Sequence, residues 1–174
     1  MSTLPSDMTI RPTTEADIPG VIQMGDDAVA WLVEQGRTGQ WGTRPWSENP
    51  ERAKTMMDRL TSTEFFVAEI GGRLAGALAV ATHPQEYAPA IDEPELYVHF
   101  LITAGDFRGR NVGARLLDHA RDRARELGIG LIRVDCYGGA DRKLVAYYES
   151  QGFTPTAAFT VKDWPGQVLE QRLG

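Results

Sequence analysis

The chain has 174 residues, 24 acidic against 18 basic side chains, a formal charge of −6 and 42% apolar content. That length suits one domain with a real core, and the apolar share excludes wholesale disorder. A single cysteine, Cys136, excludes an intrachain disulfide framework and a Cys-rich zinc site, and three histidines (83, 99 and 119) leave little for another metal centre, so no metal is expected. The longest apolar run, Leu74 to Ala81, is too short to span a bilayer, and the first residues carry neither the basic nor the apolar segment of a secretory signal. With an isoelectric point near 5.1, the expectation is a cytoplasmic protein with no membrane and no nucleic-acid partner.

Residues 1–7 are expected to be a flexible start to a single domain covering 1–174. Thr9 to Pro12 reads as a short strand. Thr14, with Asp17 three residues on, is a helix-capping pattern, and Ile18, Val21, Ile22, Val29 and Leu32 give a helical stripe up to Gly36. Gly36 to Pro50 is turn chemistry with Trp41 and Trp46 embedded, followed by a helix from Glu51 to about Leu60. Glu64 to Ile70, Gly71-Gly72 and Arg73 to Thr82 make a β-hairpin with a two-glycine turn. A proline-bearing loop over 83–94 precedes a strand from Glu95 to Thr103. A glycine-bearing turn then leads into a helix whose apolar positions are 112, 116, 117, 120, 124 and 127, ending at Gly128 or Gly130. Leu131 to Tyr137 is the next strand and Asp141 to Gln151 a short helix. Two strands, about Phe153 to Trp164 and Gln167 to Leu173, are separated by Pro165-Gly166.

Strand, turn, helix and strand over 95–137 call for a right-handed βαβ unit with its strands parallel, while the flanking hairpins are antiparallel. The fold class is therefore α/β: a mixed sheet of about six to seven strands, a central parallel pair joined by a crossover, and helices on both faces.

Charge is unevenly spread. Residues 105–125 hold six arginines and three aspartates, a local +3 that leaves −9 for the remainder. A solvated helix face gives such a pattern, and so does an anion site; the start of the segment decides between them. In Phe107-Arg108-Gly109-Arg110-Asn111-Val112-Gly113-Ala114, a strand is left and a helix opened. Unpaired amides at a helix N-terminus carry partial positive charge and suit a phosphate. Glycine at such a turn also serves plain steric convenience. A P-loop needs a lysine that is missing here, and a dinucleotide fold needs G-x-G-x-x-G where this chain has G-x-x-x-G at 109 and 113.

RGRNVGARLL resembles the Q/R-x-x-G-x-G/A signature of the GNAT superfamily of acetyl-CoA-dependent N-acetyltransferases, with Arg108 at its first position and Gly113 at its second glycine. Tyr148-Glu149-Ser150-Gln151-Gly152-Phe153 resembles the family's Tyr-Glu-x-x-Gly-Phe motif, and the element order fits from residue 8 to the C-terminus. Asn111 stands where the family has its first glycine, and asparagine tolerates a left-handed backbone.

The resemblance implies acetyl-CoA as co-substrate, bound by Leu101, Ile102 and Thr103 of the strand before the turn, by Arg108, Gly109, Arg110, Asn111, Val112, Gly113 and Ala114, and by Asp141. It implies direct attack by a primary amine in a ternary complex, with Tyr148 as the acid that protonates the leaving thiolate. Tyr147 is the rival for that role. His99 is the candidate base; His83, Glu86, Glu95 and Asp135 remain open, as does loss of the proton to water. Cys136, inside an apolar strand, reads as a small hydrophobe rather than a nucleophile.

By the same resemblance the first helices, their connection and the loop over 83–94 shape the acceptor site. Those carry Trp31, Trp41, Trp46, Tyr87 and Tyr97 beside Asp26, Asp27, Glu34, Glu86 and Glu95. An aromatic, acidic wall suits a small cationic amine, so Trp31, Trp41 and Tyr97 are expected to bind it. A non-catalytic acyl-CoA-binding regulatory domain of the same fold is the alternative function. A homodimer is compatible with the fold.

Overall fold

In the computed structural model, which describes residues 8–139 and 142–174, seven strands form one sheet in the order β1-β2-β3-β4-β5-β7-β6. The strands are β1 (Met8–Pro12), β2 (Glu64–Ile70), β3 (Arg73–Ala81), β4 (Leu96–Thr103), β5 (Leu131–Tyr137), β6 (Thr154–Val161) and β7 (Trp164–Arg172). Only β4 and β5 are parallel; every other pair is antiparallel. The helices are α1 (Ile18–Glu34), α2 (Pro50–Ser62), α3 (Val112–Glu126) and α4 (Lys143–Ser150). The mixed α/β architecture and the βαβ crossover are those the sequence predicts. The expected N-terminal tail, 1–7, lies outside the described residues.

Two cores flank the sheet. On one face α3 and α4 bury Val112, Leu116, Leu117, Ala120, Val145 and Tyr148 against Leu96, Val98, Ile132 and Val134. Removing a leucine such as Leu116 from water stabilises the fold by about 2 kcal/mol. On the other face α1 and α2 bring Val21, Met24, Val29 and Met56 over Phe65, Val67, Ala77, Ala79 and Ile102, with Trp46 filling the space between them. Trp46 belongs to a single 3-10 turn, Trp46–Glu48, that the turn-rich sequence did not announce.

Local signals set most boundaries. At Thr14 and Asp17 the capping box forms, ahead of one 3-10 turn and then α1. Asn49 accepts from the Glu51 amide and starts α2 one residue earlier than predicted, with Pro50 in the first turn where its missing N–H costs nothing. Gly71 and Gly72 both take positive φ in the two-residue turn of the β2-β3 hairpin.

One turn is misplaced by sequence reasoning. Pro165-Gly166 lies inside β7, and the chain reverses at Lys162-Asp163, whose φ values of 49° and 55° are both left-handed. Gly166 is there for packing: a Cβ would overlap the Phe159 ring on the neighbouring strand.

The parallel pair is short. β4 and β5 are in register only at Leu96, Tyr97 and Val98 against Ile132, Arg133 and Val134. Its closed end is clamped by a buried ion pair in which Arg133 Nε donates to Glu95 Oε1 at 2.7 Å and Nη2 to Oε2 at 3.2 Å. The same Nη2 donates to the Pro89 carbonyl at 2.9 Å, tying the loop over 83–94 to the sheet. The two side chains are 3% and 6% exposed, so deleting one strands the other charge away from water. Glu95→Ala is therefore expected to lower stability by about 3–5 kcal/mol, read from the denaturant midpoint, while replacing Glu95 and Arg133 together by methionine recovers much of the loss.

Candidate functional site

Beyond Val98 and Val134 the two central strands part while each continues, β4 to Thr103 and β5 to Tyr137. A bulge widens the gap. Ala79 pairs with Phe100 but Val80 pairs with Val98, so His99 is the extra residue of β4 and drops out of the β3 ladder. The His99 carbonyl is taken instead by side chains, Arg59 Nη2 and Gln85 Nε2, each at 3.4 Å. From His99 to Thr103 the edge of β4 facing β5 has no strand partner.

The gap opens into a cavity of about 970 Å³. One end is lined by Thr103, Arg108, Gly113 and Tyr147, the middle by Leu101, Ile102, Cys136 and Tyr148, and the other end by Trp41, Trp46, Arg52, Arg59, Gln85, Tyr87, His99 and Asp135.

At the first end the turn has the shape an anion requires. Asn111 adopts φ 60° and ψ 26° immediately before α3, so asparagine occupies the left-handed position the sequence assigned to it. The first helical hydrogen bond runs from the Arg115 amide to the Asn111 carbonyl. The amides of Val112, Gly113 and Ala114 precede it, in the turn where helix geometry supplies no partner. A Cβ on Gly113 would stand 2.6 Å from the Tyr147 hydroxyl, so glycine keeps this approach open. Arg108 lies over the Trp31 ring at 4.2 Å.

Of the other residues assigned to this end, Gly109, Arg110 and Asn111 are exposed on the turn, Val112 is buried at the start of α3 and Ala114 is half-buried. Arg110 sits over Phe107 at 5.8 Å. Asp141 lies outside the described residues. Part of the local positive charge is a solvated helix face. Arg121 and Arg125 pair with Asp118 and Asp122 on the α3 surface, whereas Arg108 faces the cavity.

Mid-cavity, Tyr148 is buried, edge-on to Tyr147 and to Phe153. Burial, helped by the nearby Cys136, Tyr147 and Asp135, raises its phenol well above the ordinary tyrosine range, so it stays protonated. Burial also pushes the Cys136 thiol up to about 12, which removes the thiolate a nucleophile would need.

His99 is half-buried beneath His83, the rings 5.0 Å apart. Its Nε2 lies 2.8 Å from the His83 carbonyl. A carbonyl only accepts, so Nε2 carries the proton and Nδ1 keeps the lone pair. Burial lowers the imidazole pKa below its ordinary value, so the ring is neutral at pH 7. Opposite it, Asp135 accepts from the Tyr97 hydroxyl through a short bond and from Tyr87 at 3.4 Å. Burial raises the Asp135 pKa, and those two bonds pull against the rise.

The acceptor wall differs from the expected one. Trp41 lines the cavity, edge-on to Trp46. Trp31 also lines it, but against Arg108 of the turn. Tyr97 is fully buried between Arg133 and Asp135 and does not reach the cavity. None of Asp26, Asp27, Glu34, Glu86 or Glu95 lines it: Asp26 accepts from the Ser47 amide, Asp27 from Gln23, Glu95 is locked to Arg133, and Glu34 and Glu86 are exposed. The cations Arg52 and Arg59 stand there instead, with Gln85 beside them. Sequence reasoning passed over these three; the available signal was the 52, 56, 59 spacing, which sets both arginines on the flanks of the one buried residue of α2, Met56. Among the described residues, no three His, Cys, Asp or Glu side chains converge as metal ligands, and no helix is long and apolar enough to cross a membrane.

The chain matches the acetyltransferase (GNAT) family over residues 27–153, and it belongs to that family. Among solved structures it is similar to a GNAT-family acetyltransferase from Listeria monocytogenes, at 19% identity and TM-score 0.71, with 95% of each chain covered. It is similar as well to the PaiA N-acetyltransferase of Thermoplasma acidophilum in complex with coenzyme A, at 14% identity and TM-score 0.72, covering 95% of this chain and 98% of that one. A ribosomal-protein-alanine N-acetyltransferase from Brucella melitensis aligns at 21% identity and TM-score 0.65, covering 95% and 99%. No curated protein matches the chain.

Nitrogen-detected spectra of histidine-labelled protein test the assignment at His99. The Nε2–H tautomer is expected at pH 7, with a titration midpoint below 6.5. Because the unfolded chain then binds that proton more readily than the folded one, stability is expected to fall as pH drops below 6.5.

Proposed function

We propose that the protein is an acetyl-CoA-dependent N-acetyltransferase that moves the acetyl group to the primary amine of a small molecule, by direct attack in a ternary complex. The observation that carries this reading is one continuous cavity, from the anion-binding turn past Tyr148 to His99 and Asp135.

Residues present fit the co-substrate in kind. The amides of Val112, Gly113 and Ala114 and the Arg108 guanidinium suit its pyrophosphate. The unpaired edge of β4 at Leu101, Ile102 and Thr103 suits its pantetheine amides, which would complete a broken ladder. A backbone N–H on that edge would polarise the thioester carbonyl, an effect worth about 3 kcal/mol where the donor is held in place.

Three requirements then fall to side chains. The amine must lose a proton, and Nδ1 of a neutral His99 holds a lone pair that can take it. As the C–N bond forms and the C–S bond breaks, the departing sulfur must gain a proton, and Tyr148 holds one at every physiological pH. The site must limit water, and Tyr148, Leu101 and Cys136 give the middle of the cavity a largely apolar lining suited to that. Tyr147 is placed elsewhere along the cavity. Its hydroxyl reaches the first turn of α3, where it would touch the phosphates rather than the sulfur.

Tyr148→Phe should bind acetyl-CoA with unchanged affinity by calorimetry and lose about 100-fold in kcat for amine-dependent thiol release. Unimpaired turnover would remove Tyr148 from the chemistry, and acetyl-CoA binding without turnover on any amine would favour a regulatory acyl-CoA-binding domain. Asn111→Ala should weaken acetyl-CoA binding and cost about 1 kcal/mol of stability, because alanine lacks asparagine's tolerance of the left-handed backbone, while Asn111→Gly should preserve both.

A further inference from the structure

Acyl transfer leaves the two cations of α2 without a role. Arg52 and Arg59 flank Met56 and both line the cavity, Arg59 at His99 and Arg52 at Trp46. The wall at His99 is four strand residues, about 13 Å, from Thr103 beside the phosphate turn, too far for Arg59 to serve the pyrophosphate. Arg52 lies over the Trp46 ring at 4.6 Å, and Arg59 over the Phe100 ring at 4.8 Å while donating to the His99 carbonyl.

Among the described residues neither arginine has a carboxylate partner. Other partly buried arginines are neutralised, Arg11 by Asp17 and Glu69, Arg123 by Glu64 and Arg133 by Glu95, whereas Arg52 and Arg59 share their lack of a carboxylate with Arg108, which also lines the cavity. Ring faces and a carbonyl oxygen solvate a cation without neutralising it. Burial, together with repulsion from Arg52, lowers the Arg59 guanidinium to about 10. Holding two partly buried like charges side by side is unfavourable until an anion joins them. A planar guanidinium fork fits an oxyanion with two acceptor oxygens. Across the same chamber, Asp135 and His99 offer the complementary chemistry to an amine.

We propose that the acceptor is an amino-acid-like zwitterion, an amine that carries its own carboxylate, held by Arg52 and Arg59 while its amino group faces His99 and Asp135. This rests on the acetyltransferase reading and gives it a substrate class. It also replaces the cationic acceptor that the composition of the loops suggested, since a polycation would meet two like charges at the chamber wall.

The test compares free amino acids with their C-terminal amides and with the corresponding decarboxylated amines, following thiol release from acetyl-CoA by the full chain. Including glutamate and γ-aminobutyrate separates an oxyanion next to the amine from one at the far end of the molecule. Loss of the carboxylate is expected to lower kcat/KM about 100-fold, because it leaves buried donors unmatched. Arg59→Gln and Arg52→Gln should raise KM for the acid by a similar factor, narrow the preference for acid over amide, and leave acetyl-CoA affinity unchanged.

Amides or polyamines turned over as well as the acids would overturn the proposal while leaving the acetyltransferase reading intact. A second measurement needs no acetyl-CoA: quenching of tryptophan fluorescence by the amino acid and by its amide, with the acid expected to bind more tightly. If acetyl-CoA fails to bind but the acid still outcompetes the amide, the arginine site stands and the acetyltransferase reading falls. Equal quenching by acid and amide sinks the arginine site.

Discussion

Everything about this site depends on two neighbouring strands that begin as a parallel pair and cannot remain one. β4 and β5 share three registered positions and then diverge, because His99 is an extra residue in β4 and shifts the strand against β3. Backbone groups on a strand edge demand partners. Along most of this sheet the neighbouring strand supplies them; from His99 to Thr103, on the side facing β5, none does. The Glu95–Arg133 ion pair clamps the closed end of this wedge.

The wedge divides labour between the faces of the sheet. On the α3 and α4 side lie the left-handed turn at Asn111, the open first turn of α3 and the buried Tyr148. On the α1 and α2 side lie His99, Asp135 and the two arginines, roofed by segments far apart in sequence. The Trp164 indole donates to the Gln40 carbonyl at 2.9 Å, and Tyr87 stacks on Phe159 at 5.0 Å. The tip of the β6-β7 hairpin therefore touches the α1-α2 connection, and the loop over 83–94 touches β6. An acyl donor and an acceptor would approach one bond from opposite sides of the sheet, each held by groups of the opposite charge.

The donor side was legible in the sequence because its chemistry is local. Arg108 to Ala114 are contiguous, their left-handed residue is an asparagine, and the helix they open has an unbroken apolar stripe. The acceptor side was not, because its chemistry is assembled by folding. Nothing in Glu95 announces that it will be consumed by Arg133, 38 residues on, rather than face a ligand. Nor does Tyr97 reveal that an aspartate on the next strand will capture its hydroxyl. Arginines on a helix read as solvated until the helix is laid over a cavity. The Lys162-Asp163 turn failed for the converse reason: Pro-Gly is a strong turn signal, but here the glycine serves the Phe159 ring and the reversal falls to two residues with weaker local preference.

α2 contributes a single fully buried side chain, Met56, to the molecule. Its two cavity-facing arginines lie over ring faces rather than within either core, whereas Val112 and Gly113 at the start of α3 are buried. A scaffold built this way separates the two inheritances of its active site. If Arg52 and Arg59 hold the acceptor as proposed, the choice of acceptor rests on the face of one helix and acyl-donor handling on the turn between β4 and α3. Descendants of such a chain would diversify their substrates through positions 52 and 59 well before they altered how the acyl group is delivered.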